Sequence, residues 1–142
     1  MQKLKIVLLS EKSILPTQAT TGSAGWDLYS PEGYHLMSSG VVMVKTGIKL
    51  GIPKGYYVSI VPRSSMGKKG VIIPNAPGTI DSDYTGEICV MLHNLTVLPV
   101  SINPGDRIAQ MILHKYEPID FEIVDVIEET SRGSGGFGST GK

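Results

Sequence analysis

Cysteine is almost missing from this chain: Cys89 is the only one in 142 residues. An intramolecular disulfide and a cysteine-based zinc site are both excluded. An excess of charge of either sign is missing too, with 13 lysines and arginines against 13 aspartates and glutamates. No global positive field exists to hold nucleic acid or an anionic membrane. Any polyanion bound here must be small and gripped by a local cluster. Long hydrophobic runs are absent as well. The apolar stretch from Ile6 to Leu9 is stopped by Ser10, Glu11 and Lys12, far short of a signal-peptide core or a membrane span. Asn94-Leu95-Thr96 fits the N-glycosylation pattern, but with no secretory route it is read as chance. The expected compartment is the cytoplasm (a host's cytoplasm or nucleus if the gene is viral). No long segment has helical period, His35, His93 and His114 lack metal-ligand spacing, and no Gly-x-Ser-x-Gly elbow occurs.

What is present is punctuation. Glycine (17) and proline (9) separate short runs rich in β-branched residues, the pattern of many strands and tight turns. The length is that of one domain with a core of its own. Strands are expected over Leu4 to Leu9, Val41 to Leu50, Tyr56 to Val61, Ile88 to Leu92 and Arg107 to Leu113. Gly47 marks a bulge or kink. Ile52-Pro53-Lys54-Gly55 forms a turn, and Pro104-Gly105-Asp106 turns into the last strand. One short helical turn is expected near Ser65 to Lys69. Cys89, in an apolar strand, is expected to be a small core residue. The domain is drawn over residues 1–130. Residues 131–142 have no apolar periodicity, four glycines between Gly133 and Gly138, and a lone Phe137. On composition that stretch is a flexible arm.

Three segments carry chemistry. In the arm, Gly133, Gly135 and Gly138 match a dinucleotide fingerprint, but no helix can follow with only four residues left, so that assignment is rejected. Arg132, glycine amides, Ser139, Thr140 and an aromatic remain a kit for phosphates and a base. Pro62-Arg63-Ser64-Ser65-Met66-Gly67 places an arginine and hydroxyls at the start of a short helical turn, which suits an anion; a helix N-cap serine with a surface arginine is the alternative. Gly78-Thr79-Ile80-Asp81-Ser82-Asp83-Tyr84-Thr85-Gly86 carries two carboxylates and a tyrosine between glycines. It is either an Asp-rich turn or a general base beside a ligand.

Taken in order, Ala24 to Tyr29, Pro62 to Gly67, Asn75 to Gly86, Gly105 to Ile112 and Arg132 to Gly141 resemble the five motifs of the trimeric dUTP diphosphatase family. The resemblance spans the chain from Ala24 to its end. It implies an all-β fold, a distorted β-barrel or jelly-roll-like subunit with one short helix. It also implies a homotrimer whose active sites are shared between subunits, with each arm closing over a neighbour's site. The implied activity is Mg²⁺-assisted hydrolysis of dUTP to dUMP and pyrophosphate by water attack on the α-phosphorus, with neither nucleic acid nor membrane as partner.

The same resemblance implies roles. Asp81 matches the general base and Tyr84 the residue packed on the deoxyribose. Asn75, with Gly78, Thr79 and Ile80, matches the uracil pocket. Arg63, Ser64, Ser65 and Gly67 match the phosphate segment, although Ser65-Met66 stand where glycine-leucine is frequent. Gln110 matches a glutamine near the phosphates. Asp27, with Gln110, supports the metal through water, while substrate phosphates are its direct ligands. Arg132 matches the arm's phosphate-pairing arginine, Phe137 the aromatic over uracil, and Gly138, Ser139 and Thr140 the contacts to the terminal phosphates. Ser134 stands where an acidic residue is frequent, and Trp26 in a variable slot.

Two other readings are weighed. A dCTP deaminase of the same fold needs a glutamate in the strand after the third motif, where this chain has Met91, which cannot shuttle protons. A dUTP-responsive regulatory protein would keep the pocket with little or no turnover; the intact Asp81 argues against a dead enzyme and leaves a second, regulatory job open.

Overall fold

The short runs rich in β-branched and apolar residues between the turns become strands. The computed structural model describes residues 3–136. In chain order the strands are β1 (Lys5–Leu8), β2 (Thr17–Gln18), β3 (Trp26–Tyr29), β4 (Tyr34–Leu36), β5 (Val41–Gly51) and β6 (Tyr56–Val61). The one helix, α1 (Ser64–Lys68), follows. Then come β7 (Val71–Ile72), β8 (Gly78–Ile80), β9 (Glu87–Asn94), β10 (Val100–Ile102) and β11 (Arg107–Lys115). The five expected strands and the helical turn are all found, with ends shifted by a residue or two. The short strands β2, β3, β4, β7, β8 and β10 were not expected, because two to four residues are too few to show a period.

All pairings are antiparallel. One sheet has the order β1-β5-β9-β7, a second β2-β3-β11-β6-β8, and β10 pairs with β4 in a two-stranded ribbon. Both larger sheets contribute to one core: Val44, Ile48, Ile88, Val90 and Leu92 from the first, and Leu28, Val58, Ile60, Ile108 and Met111 from the second. This nearly all-β subunit is the jelly-roll-like fold implied by the motifs. Among the described residues no helix is long and apolar enough to cross a membrane.

Two irregularities matter. Gly47 has φ +72°, and the β5–β9 register shifts between Lys45 and Lys49. Its N–H leaves the ladder and donates to Glu87 Oε1 at 2.9 Å, so the expected bulge is real and a side chain fills it. A second shift, between Arg107 and Ala109, lies in the β11–β3 pair.

Cys89 is not a core residue, contrary to the expectation. Along β9 the side chains of Ile88, Val90, Leu92 and Asn94 are buried, while Glu87, Cys89, Met91 and His93 form the half-buried opposite face. A strand's period of two puts Cys89 on that outer face whatever its neighbours' hydrophobicity. There Met91 pairs with Met43 and His93 with Val41, both exposed. Regular structure ends at Lys115. Residues 116–136 contain no strand, and Phe121 (85% exposed) and Ile123 (98%) lie in the open.

Asn94 is fully buried, so its glycosylation pattern is a coincidence of sequence. Its amide nitrogen lies 3.0 Å from Leu36 O, 3.3 Å from Met37 O and 2.8 Å from Leu98 O. Its oxygen accepts from Thr96 N and Thr96 Oγ1. One side chain thus ties the end of β9 to the chain after β4 and to the approach to β10. Replacement by alanine strands several buried carbonyls. Asn94→Ala is therefore expected to cost about 3 kcal/mol, read as a lowered urea midpoint in equilibrium unfolding.

Candidate functional site

Strand β11 is hydrogen-bonded to β3 on one side and β6 on the other, with Gln110 opposite both Asp27 and Val61. That register assembles the first cluster. Arg63, just past β6, sets its Nε 2.8 Å from Asp27 Oδ1. Arg107 sets Nη1 3.3 Å from Asp27 Oδ2. Arg63 Nη1 also donates to the carbonyl of Arg107 and to Ser65 Oγ, each at 3.2 Å. Gln110 Nε2 donates to Pro62 O at 3.1 Å. A Cβ on Gly25 would overlap Gln110 Oε1, so a side chain there would displace that amide. Two guanidinium charges face one carboxylate, so the cluster keeps a net positive charge with which to meet an anion. Ser64 and Gly67, in α1, are exposed beside it.

The second cluster is the hairpin around β8. Ala76–Pro77 is a cis peptide. Gly78 is buried, and a Cβ there would lie 3.3 Å from Asn75 Nδ2, so the small residue lets that amide approach. Thr79 pairs with Ser59 and Ile80 with Val58. The chain then turns, with Tyr84 N donating to Asp81 O at 3.2 Å. Asp81 is exposed, and Tyr84 Oη donates to Glu87 O at 2.9 Å. A cleft of about 530 Å³ opens here, lined by Tyr56, Tyr57, Thr79, Asp81, Asp83 and Tyr116 among others. Beneath it Tyr57 stacks on His114 at 4.9 Å, and His114 Nε2 shares a 2.8 Å hydrogen bond with Ser59 Oγ.

Asp81 does not reach the first cluster. Residue 81 follows Ile80, which sits opposite Val58, while Arg63 lies beyond the Val61 end of the same strand. Residues 57 and 63 are separated by six residues of extended rise, about 20 Å at ~3.3 Å each. Among the described residues no hydrogen bond or ion pair links the groups. The structure therefore brings Asp27, Arg63, Ser65 and Gln110 together and sets Asp81 towards the opposite end of β6. Arg132, in the arm, donates from Nε to Gly135 O at 2.9 Å. Phe137, Gly138, Ser139 and Thr140 lie outside the described residues.

The dUTPase family profile matches residues 11–141. The chain belongs to the dUTPase family. A deoxyuridine 5'-triphosphate nucleotidohydrolase of Wolinella succinogenes is 41% identical over 141 residues, 99% of this chain and 95% of that protein. Another, of Finegoldia magna, is 46% identical over 142 residues, 98% of this chain and 99% of that protein. Among solved structures, a mutant dUTPase of Staphylococcus bacteriophage 80alpha with dUpNHpp superposes with a TM-score of 0.93. It is 24% identical and covered in full, as is this chain. A mutant dUTPase of phage phi11, described with a structural Mg(II) ion, reaches 0.82 at 24% identity over 88% of this chain and 98% of that one. At that identity the solved structures establish the fold.

Within this dUTPase, sequence reasoning assigned no role to Arg107, Tyr56, Tyr57 or Tyr116. Arg107 stood inside a quoted motif, and its neighbourhood to Asp27 was the missing information. The tyrosines gave no signal, because the cleft exists only once β6, β8 and the chain after β11 are side by side.

Cys89, the single thiol, has its pKa raised above the ordinary value, first by burial and then by Glu87, against a lowering by Lys45. Less thiolate is present at any given pH than on a free thiol. Alkylation of the native protein by iodoacetamide, followed by mass spectrometry between pH 7 and 9, should run slower than in the urea-unfolded chain at each pH.

Proposed function

We propose that this protein hydrolyses dUTP to dUMP and pyrophosphate. A water oxygen bonds to the α-phosphorus as the bond to the pyrophosphate oxygen breaks. The observation that carries this is the exposed Asp81 carboxylate on the turn after β8, at the mouth of a cleft roomy enough for a nucleoside. Asp81 takes the proton of the attacking water as general base. Backbone groups of Gly78 to Ile80, with Asn75, present fixed donors and acceptors to uracil, and an amino group at the cytosine position leaves them unpaired. Tyr84 packs against the deoxyribose. Arg63, Ser64, Ser65, Gly67 and Gln110 hold the phosphates, and Arg132, Gly138, Ser139 and Thr140 close over them while Phe137 covers the base.

Mg²⁺ is the cofactor of this activity. Among the described residues no group of three or more histidine, cysteine, aspartate or glutamate side chains could cage a metal. Both Asp27 oxygens already accept from arginines, so with Gln110 it would support the ion through water. Such a donor set fits a hard cation that arrives with the triphosphate and keeps most of its waters. The ion supplies charge neutralisation on the phosphates; orientation falls to the Arg63 and Arg107 cluster.

The separation of Asp81 from Arg63 supports a homotrimer with shared sites. A base about 20 Å from the phosphate anchors cannot serve them within one subunit. A second copy that lays its β8 hairpin against this copy's Asp27–Arg63–Arg107 cluster completes the site. The exposed apolar residues Phe121, Ile123 and Ile127 favour assembly in the same way. Where deoxynucleoside triphosphates are made, in the cytoplasm, such an enzyme keeps uracil out of DNA and supplies dUMP for dTMP synthesis.

Pyrophosphate release should be seen with dUTP and Mg²⁺, and not with dCTP, dTTP or UTP at matched concentration. Ammonia from dCTP would instead establish a deaminase, against the apolar Met91–Met43 pair at that strand. Binding of dUTP without turnover would establish a sensor. Asp81→Asn should lower kcat by about 10³-fold or more while dUTP still binds in calorimetry; equal loss of both would remove Asp81 from the role of base. Deleting residues 131–142 should leave a trimer by light scattering with severely reduced hydrolysis.

A further inference from the structure

The Tyr84 side chain folds back over its own turn. Its hydroxyl donates to the carbonyl of Glu87 at 2.9 Å, and its ring lies across Gly86. A Cβ placed on Gly86 would stand 2.6 Å from Tyr84 Cζ and 3.1 Å from Cε2, closer than atoms pack. Gly86 does not have the positive φ that would itself demand glycine. The obstacle to a side chain at residue 86 is the phenol end of Tyr84, which would have to shift. Glu87 is in turn fixed from the other side, because its Oε1 accepts from Gly47 N in the β5 bulge and it pairs with Lys49. The chain of contacts runs from the bulge glycine through Glu87 to the tyrosine hydroxyl.

We propose that Gly86 and the Glu87 carbonyl together determine sugar specificity by pinning Tyr84. The missing side chain at Gly86 sets how low the ring lies, and the carbonyl sets how far it can swing. That role depends on Tyr84 facing the deoxyribose, as proposed above. With the ring pinned, a 2'-hydroxyl on the substrate meets a wall that cannot retreat; with the ring displaced, it gains room. Gly86 is thus a positioning residue, acting only through Tyr84, and the substrate class it selects is the 2'-deoxyribonucleoside triphosphate.

The test compares kcat/KM for UTP and dUTP in the full-length enzyme with Mg²⁺. Gly86→Ala leaves the backbone unstrained and pushes the ring away. It should raise the UTP-to-dUTP ratio by about tenfold, with thermal melting checked in parallel. Tyr84→Ala should raise the ratio at least as much. In the double variant Gly86→Ala/Tyr84→Ala, the glycine change should add nothing, because its effect passes through a ring that is no longer there. An independent variant, Tyr84→Phe, keeps the ring and loses only the hydroxyl that Glu87 holds, and it should raise the ratio without depending on how Gly86→Ala folds. An unchanged ratio in Gly86→Ala and Tyr84→Phe, beside a changed one in Tyr84→Ala, overturns the pinning and leaves Tyr84 as the sugar-facing residue. An unchanged ratio in all of them overturns the role of Tyr84 as well. Additive effects in the double variant would show Gly86 acting on its own, which also overturns it.

Discussion

Antiparallel pairing of β11 with β3 and β6 at once is the constraint on which the rest depends. Gln110 stands opposite Asp27 on one flank and Val61 on the other. Slipping either pairing by one residue would turn these side chains to the opposite face of the sheet. The Asp27 carboxylate would then lose Arg63 and Arg107, and Gln110 would lose Pro62. The bulge between Arg107 and Ala109 belongs to the same design. It lets Arg107 offer its carbonyl to Arg63 and its guanidinium to Asp27 while Ile108 and Ala109 stay in the core.

The site shows a division of labour that follows from strand geometry. The arginine cluster lies at one end of β6 and the Asp81 turn at the other. A strand is stiff and long, so it separates chemistry more firmly than a loop would. Under the proposed reaction this separation calls for a second copy of the chain. The apolar groups on the half-buried face of β9 and in the chain after Lys115 have the same consequence. Met43, Phe121 and Ile123 are exposed apolar side chains of the chain taken alone.

Glycine acts here through the absence of a side chain more than through backbone freedom. Gly25 leaves room for the Gln110 amide, Gly78 for Asn75 and Gly86 for Tyr84. In each case the neighbour is a residue assigned to ligand. Gly47 differs, since its φ of +72° frees an N–H that anchors Glu87.

The strand content, the bulge at Gly47 and the motifs that name the family were all legible from residues 1–142, because period, turn chemistry and ordered short motifs are local properties. Asp81, Arg63 and Tyr84 could be singled out for the same reason. Cys89 was misplaced because hydrophobic neighbours say nothing about which face of a strand a residue occupies. That depends on which face meets the other sheet. Buried Asn94, the Arg107 clamp, the three tyrosines of the cleft and the distance between Asp81 and Arg63 were likewise invisible. Each is a relation between residues far apart in the chain, created by pairing register, and a linear pattern carries no information about register until the strands have met.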